Sequence, residues 1–254
     1  MIIETFPTFA PIKHFFNKEK LFDEIKNSGV LNHLRMATTH AVDGKSFWDN
    51  GVNFKSSEFE KQKDVALWEE EGENRTIRPH KIDTFHQVTL TTPDKNQNDL
   101  KDVWIGQHQT NNKIPLWVAF DHPWFFRSDY SLPYLEEVVA SLGLEYVSMI
   151  RIVHQLPPSI GVIHRDSGPK TNGEYYANGG VTITLNVSSG GGNLYFIDAQ
   201  GNECTIDEEA FSVWHFDDGR IHCTNEITSE RMQIRIYGRY KYYKDLMDLS
   251  QAIY

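Results

Sequence analysis

The sequence predicts a mainly β fold with flanking helices, in which an antiparallel sandwich or barrel occupies the second half of the chain. From about residue 145, hydrophobic residues alternate with a period of two in short runs separated by Gly and Asn. Before that point, two amphipathic segments of helical period flank a long polar stretch. No repeat or linker rich in Pro, Gly or Ser divides the 254 residues, so we expect one domain.

Within this domain, the two halves are expected to have different roles. Residues 1–144 should supply helices together with a lid and substrate contacts. Residues 145–242 should form the β core, and residues 243–254 a terminal helix.

The first helix is expected to begin after Asn17, whose side chain suits an N-cap. Leu21, Phe22 and Ile25 form its apolar stripe, and Gly29 is a natural stop.

The second helix is expected to begin at a Ser131 cap, with Pro133 in its first turn, and to end at Gly143. Between the two helices, residues 41–115 have little periodicity. The weak apolar stripe of residues 55–73 suggests an exposed flap with helical character.

Seven strands are expected after the second helix, because each run is short, alternates and is bounded by turn residues. They span residues 146–154, 162–166, 181–187, 193–197, 211–216, 221–224 and 232–240. This number and spacing favour two antiparallel sheets that face each other.

The composition of the chain disfavours several classes of protein. The formal net charge of −10 and the pI near 5.5 disfavour a nucleic-acid scaffold, which needs a basic face. No apolar run is long enough to span a membrane, and the first residues lack the pattern of a secretory signal. With only Cys204 and Cys223, neither a disulfide framework nor a cysteine zinc site is expected, and a cytoplasmic location is the simplest.

The segment Val162-Ile-His164-Arg-Asp166 carries the strongest chemical signal. Residues i and i+2 of a strand project from the same face, so His164 and Asp166 can reach one metal ion. His222 is the candidate for a third ligand from another strand. Two imidazoles and one carboxylate on one side of a metal leave three positions open, as in non-haem iron(II) oxygenases.

Two other histidines compete for roles at this site. His215 could replace His222 as the ligand. His154 could face the pocket, although packing or support of a ligand is the expected role.

A carboxylate anchor is predicted on the last strand. Arg231 follows His222 by nine residues (231 − 222), and its guanidinium can pair with a carboxylate through two hydrogen bonds. Arg235 shares its face and is the internal competitor. On the strand at 181–187, Thr182, Thr184 and Asn186 form a polar face that we expect to line the barrel mouth.

The chain from about 146 to 240 resembles the iron(II)/2-oxoglutarate dioxygenase superfamily, especially its prolyl-hydroxylase-like and aspartyl/asparaginyl-hydroxylase-like branches. The matching motifs are His164-Arg-Asp166, Thr184-Leu-Asn, Gly190-Gly-Gly-Asn-Leu-Tyr-Phe, the segment from Val213 to His222, and Glu230-Arg-Met-Gln-Ile-Arg-Ile-Tyr. The resemblance implies a double-stranded β-helix (a jelly roll, cupin-like).

The resemblance also implies roles for individual residues. It assigns the metal triad to His164, Asp166 and His222, and the 2-oxoglutarate carboxylate to Arg231. It makes Thr184 a polar contact of that co-substrate, although relatives often have Tyr there. Because Asp166 is present, hydroxylation is favoured over halogenation.

The function so implied is hydroxylation of an unactivated C–H bond, with Fe(II), 2-oxoglutarate and O2, and release of succinate and carbon dioxide. The substrate would be a small molecule such as an amino acid, or a peptidyl side chain, with no nucleic acid or membrane partner. Two rivals remain: a cupin-like metalloenzyme that needs no 2-oxoglutarate, and a metal-free binding module.

A closing element is expected because such a site must exclude water yet admit substrate. Part of residues 41–115 is predicted to lie over the metal and to contact substrate. Apolar anchors are available there at Trp48, Phe54, Trp68 and Phe85.

Overall fold

The structure, a computed structural model, describes residues 8–36, 67–71, 74–78, 86–92, 123–157, 159, 180–198 and 200–240. Its two described α-helices are α1 (Lys18–Asn27) and α2 (Pro133–Ser141), and 3-10 turns occur at Val30–His33 and Glu208–Ala210. The strands are β1 (Phe9–Pro11), β2 (Arg35–Met36), β3 (Leu67–Glu71), β4 (Asn74–Arg78), β5 (His86–Thr89), β6 (Thr91–Thr92), β7 (Phe125–Phe126), β8 (Tyr146–Gln155), β9 (Gly180–Ser189), β10 (Asn193–Ile197), β11 (Glu203–Asp207), β12 (Val213–Phe216), β13 (His222–Thr224) and β14 (Arg231–Arg239).

Two antiparallel sheets form the β core. The larger has the strand order β1-β12-β9-β14-β8-β5-β2, and the smaller has the order β11-β10-β13. From β9 onward the chain passes from the large sheet to the small one, back at β12, across at β13 and back at β14. This alternation is the connectivity of a jelly roll, and it confirms the predicted fold class.

One face of the large sheet packs against the two helices. On β9, Val181, Ile183 and Leu185 join Leu21 and Ile25 of α1 in a continuous apolar cluster. Leu21 and Ile25 are fully buried, as their helical spacing predicts. The opposite face of β9 therefore points between the sheets.

A second, aromatic cluster fills part of the space between the sheets. Phe9 and Phe216 of the large sheet pack with Phe196 of the small one, and the rings of Phe196 and Phe216 lie 5.4 Å apart between centroids. Because members come from both sheets, this cluster identifies the interior of the jelly roll.

The helix ends were only partly predicted. Asn17 caps α1 by accepting a hydrogen bond from the Lys20 backbone N–H at 2.9 Å, as expected. The N-cap of α2 is Leu132 rather than Ser131, and it has no side-chain hydrogen bond. The carboxylate of Glu24 on α1 supplies the cap, an interaction between helices that local sequence does not show.

Most predicted strands are confirmed to within two or three residues, but others were missed. Strands such as β1, β5 and β11 were not predicted, and β3 lies where helical character was expected. β5 pairs with β8 and so extends the large sheet. The predicted strand at 162–166, the terminal helix at 243–254 and most of the predicted lid lie outside the described residues. No helix of the described residues is long and apolar enough to cross a membrane.

Candidate functional site

The interior face of the large sheet is mostly polar along its three central strands. Side chains that are cross-strand neighbours on one face form rows across a sheet. One row joins Gln155, Arg231 and Ser189, and the next joins Gln233 and Asn186 with the apolar Val153. The following row, which we call the arginine row, consists of Thr89, Arg151, Arg235, Thr184 and Trp214.

His222 projects into this interior from the small sheet. It is the cross-strand partner of Phe196, and its ring lies 5.0 Å from that of Phe216 between centroids. Its Nδ1 is 2.8 Å from the backbone carbonyl oxygen of Arg220. Because a carbonyl only accepts, Nδ1 carries the proton, and Nε2 of the neutral ring carries the lone pair. Metal-ligating histidines are commonly oriented in this way.

The other two predicted ligands, His164 and Asp166, lie outside the described residues. Among the residues that are described, no three His, Cys, Asp or Glu side chains are placed to hold a metal ion. The predicted triad therefore stays a prediction, with one member located.

The two competing histidines face the opposite way. His215 is the cross-strand partner of Ile183, which belongs to the helix-side cluster, so its side chain points away from the sheet interior. His154 pairs with Met232 on the same helix side. There its Nε2 lies 2.6 Å from a carboxylate oxygen of Glu230. His222 is thus the histidine of the three that faces the interior.

Arg231 reaches the interior, where its guanidinium is held by a protein carboxylate. Its Nε and Nη2 donate to the two carboxylate oxygens of Glu208 at 2.8 and 2.7 Å, and its Nη1 donates to Gln155 at 2.6 Å. Gln233 donates to the same carboxylate at 3.0 Å. Arg231 and Glu208 are only 2% and 1% exposed, so this is a buried, bidentate ion pair. We call these four residues the Glu208 lock.

The glycine run before β10 makes room for this lock. A Cβ on Gly190 would lie 2.8 Å from the Arg231 Cβ, and one on Gly192 would lie 3.2 Å from a Glu208 carboxylate oxygen. Gly190 also has a φ of 62°, a backbone conformation that residues with a side chain rarely adopt. Glycine is therefore needed in this run because its backbone lies close to Arg231.

Thr184, the second residue predicted to contact the co-substrate, is not in the row of Arg231. It is buried and is the direct cross-strand partner of Arg235. Arg235 is in turn opposite Arg151 of β8. The structure therefore brings together two arginines and Thr184, and places Arg231 four residues away along β14, about 13 Å at ~3.3 Å per residue.

Arg151 donates to two uncharged side chains on neighbouring strands. Its Nη1 donates to the Gln87 amide oxygen at 3.2 Å, and its Nη2 donates to the Tyr237 hydroxyl at 3.0 Å. That hydroxyl donates to the buried Asp218 at 2.7 Å. Glu208, Gln87 and Asp218 were not recognised from the sequence, because only tertiary contacts bring these polar side chains to the arginines. The alternation of β14 did place Tyr237 on the face of Arg231 and Arg235.

Comparisons with known proteins complete the description. No protein-family model matches the sequence, and no curated protein matches it. Among solved structures, a Pseudomonas putida prolyl-4-hydroxylase is similar at 13% identity and a TM-score of 0.33, covering 88% of this chain and 99% of that one. A 2OG-Fe(II) oxygenase family oxidoreductase from Burkholderia pseudomallei has 10% identity and a TM-score of 0.38, covering 89% and 94%. A full-length Neurospora crassa protein, solved in complex with alpha-KG and thymine, has 13% identity and a TM-score of 0.39. The match covers 92% of this chain and 77% of that one.

These neighbours include proteins described as 2OG-Fe(II) oxygenases and prolyl hydroxylases, the family that the motifs resemble. Because the identities and TM-scores are low, the function of this chain has to follow from its own residues.

Proposed function

We propose that this protein is an iron(II)- and 2-oxoglutarate-dependent oxygenase that hydroxylates an unactivated C–H bond. In this proposal His164, Asp166 and His222 hold the metal, and O2 and 2-oxoglutarate are co-substrates. The substrate is a small molecule, such as an amino acid, or a peptidyl side chain.

The observation that carries the proposal is the orientation of His222. The ring is buried between the sheets, and its Nδ1 proton is directed to the Arg220 carbonyl, so that Nε2 has the lone pair that a metal requires. The motif His164-X-Asp166 supplies the other two ligand types in the pattern typical of non-haem iron(II).

The remaining interior residues fit the needs of such a site. Iron(II) with a bound 2-oxo acid supplies oxygen activation coupled to decarboxylation. Phe196 and Phe216 pack at His222 and keep bulk water from it. Arg151, Arg235 and Thr184 add polar side chains to the interior face of the large sheet.

A second candidate is a metal-dependent enzyme of the same fold that uses no 2-oxoglutarate. The Glu208 lock favours it, because the arginine predicted to anchor the co-substrate already holds an internal carboxylate. Binding of 2-oxoglutarate discriminates between the two candidates.

The test of the proposal is iron(II) affinity, measured by calorimetry without oxygen, together with 2-oxoglutarate-dependent succinate release in a screen of candidate substrates. His164→Ala, Asp166→Ala and His222→Ala should each lose more affinity than the about 10- to 100-fold caused by removing an outer-sphere partner. Succinate release should fall with it.

His215→Ala is the matched control, since this buried histidine lies on the helix-side face of the large sheet. It should retain iron binding. Full iron affinity in His222→Ala together with its loss in His215→Ala would refute the assignment of His222.

A further inference from the structure

The turn that joins β12 to β13 sets the orientation of His222. It runs from Asp217 to Arg220, and the Arg220 N–H donates to the Asp217 carbonyl oxygen at 3.0 Å. His222 follows two residues later and directs its Nδ1 to the carbonyl oxygen of Arg220, at 2.8 Å. A shift of this turn would move the acceptor that holds the ring and that determines which ring nitrogen carries the proton.

Two aspartates hold this turn in different ways. Asp217 acts within the turn, where its carboxylate accepts from the Gly219 N–H at 3.1 Å and from the Arg220 Nε at 3.0 Å. Asp218 acts across the molecule, because its carboxylate accepts a hydrogen bond from the Tyr237 hydroxyl of β14 at 2.7 Å. Both Asp218 and Tyr237 are buried, so water competes little for this bond.

A third residue fixes the direction of the Tyr237 hydroxyl. Arg151 of β8 donates to the Tyr237 oxygen at 3.0 Å, and a guanidinium cannot accept a hydrogen bond. The hydroxyl therefore accepts from Arg151, and its one proton is donated to Asp218. The carboxylate acceptor makes this a charge-assisted bond, which is stronger than one between neutral groups. The turn is thus tied to two central strands of the large sheet.

We propose that Asp218 and Tyr237 are positioning residues for His222. Their hydrogen bond fixes the turn between β12 and β13, and the turn presents the Arg220 carbonyl that keeps the proton on Nδ1 and the lone pair on Nε2. This inference rests on the proposed function, in which His222 is a metal ligand. It adds two residues that act on this ligand through the turn.

The test measures the His222 ring and the metal separately. In the metal-free protein, the chemical shifts of the ring nitrogens, measured by NMR at a pH where the ring is neutral, give the tautomer of His222. Calorimetry without oxygen gives the iron(II) affinity, and denaturation by urea gives the free energy of unfolding. A purely structural role would change the stability, while the tautomer and the affinity of the folded protein would stay the same.

Tyr237→Phe removes the hydroxyl and keeps the ring. It should lower the iron(II) affinity by roughly 10-fold, the lower end for loss of an outer-sphere partner, and raise the fraction of His222 with the proton on Nε2. Asp218→Ala should have the same two effects. Asp218→Asn keeps an acceptor for the Tyr237 hydroxyl and should restore most of the affinity. Because both residues act through one hydrogen bond, Asp218→Ala/Tyr237→Phe should lose no more affinity than either single variant.

Tyr240→Phe is the matched control, because it removes the hydroxyl of another buried tyrosine, immediately after β14. That hydroxyl donates to the Leu142 carbonyl oxygen at 3.3 Å, on the helix side of the sheet. This variant should keep both the iron(II) affinity and the His222 tautomer of the wild type.

The outcomes separate the two claims. If the wild-type protein binds no iron(II), the proposed function fails, and the inference fails with it. If the wild type binds iron(II) but folded Tyr237→Phe and Asp218→Ala keep its affinity and its tautomer, the inference is overturned while the proposed function stands. Additive losses in the double variant would also overturn it, since the two residues would then act independently.

Discussion

At the scale of single residues, the main feature of the interior is a pair of buried, opposite charges that compensate each other. Arg231 and Glu208 are almost fully buried, and each satisfies the other with two hydrogen bonds. Gln155 and Gln233 bind the remaining sides of the pair. Such a pair adds less to stability than its attraction suggests, because both charges lose their hydration, but breaking it is costly.

The residue-scale prediction follows from this asymmetry. Glu208→Ala leaves the Arg231 guanidinium buried without its counter-charge, and it should lower the free energy of unfolding by about 3–5 kcal/mol. The double variant Glu208→Leu/Arg231→Met should be close to the wild type in stability. Denaturation by urea measures both. Equal stability of Glu208→Ala and wild type would show that the pair is not the buried structural group described here.

At the scale of elements, the two helices complete each other's N-termini. The Glu24 carboxylate of α1 accepts hydrogen bonds from the backbone N–H groups of Tyr134 and Leu135, at 2.7 and 2.9 Å. In return, the Tyr134 hydroxyl accepts one from the Asn17 N–H at 2.8 Å. A carboxylate at a helix N-terminus satisfies unpaired donors and also interacts favourably with the helix dipole.

The element-scale prediction concerns this cap. Glu24→Ala should lower the free energy of unfolding by about 1–2 kcal/mol, the upper range for loss of an N-cap. The amide protons of Tyr134 and Leu135 should exchange faster with solvent. Glu137→Ala, an exposed glutamate on α2, is the control and should change neither quantity appreciably. Unaltered exchange at both amides in Glu24→Ala would contradict the capping role.

At the scale of the whole molecule, one acidic group joins the first helix to the β core. Glu230, immediately before β14, binds Lys26 of α1 and His154 of β8. Burial by itself would raise the pKa of Glu230, but the hydrogen bonds and charges of Lys26 and His154 outweigh it and lower the pKa from its ordinary 4.5.

This lowered pKa sets the sign of the third prediction. A carboxyl with a lower pKa in the folded state than in the unfolded state stabilises the fold above its unfolded pKa. That contribution is lost as the pH falls through the folded value. Glu230→Gln should therefore be less stable than wild type at pH above 4.5. The deficit should be about 0.5–1 kcal/mol, as for partly exposed ion pairs.

Thermal unfolding of both proteins from neutral to acidic pH measures this deficit. It should shrink as the pH falls below 4.5, the ordinary value of the Glu230 pKa. A deficit that is constant over this range would show that Glu230 acts through packing rather than charge.

The sequence by itself determined the features that depend on local spacing. The period of two placed the strands and the faces of β9 and β14, and the helical period placed Leu21 and Ile25 in the core. Side-chain direction follows from backbone geometry alone, so these assignments needed no knowledge of the neighbours. For the same reason, Arg231 and Arg235 could be assigned to one face of their strand.

The tertiary structure decided which side chains meet. Glu208 is 23 residues from Arg231 in sequence, and Glu24 is more than 100 residues from the amides that it caps. Neither of these two pairings can be recognised from the residues next to it in the sequence. His215 and His222 were ambiguous for a related reason: which face of its strand turns inward depends on what packs against the sheet. The sequence named the residue types of a metal and carboxylate site, while packing decided that Arg231 meets Glu208.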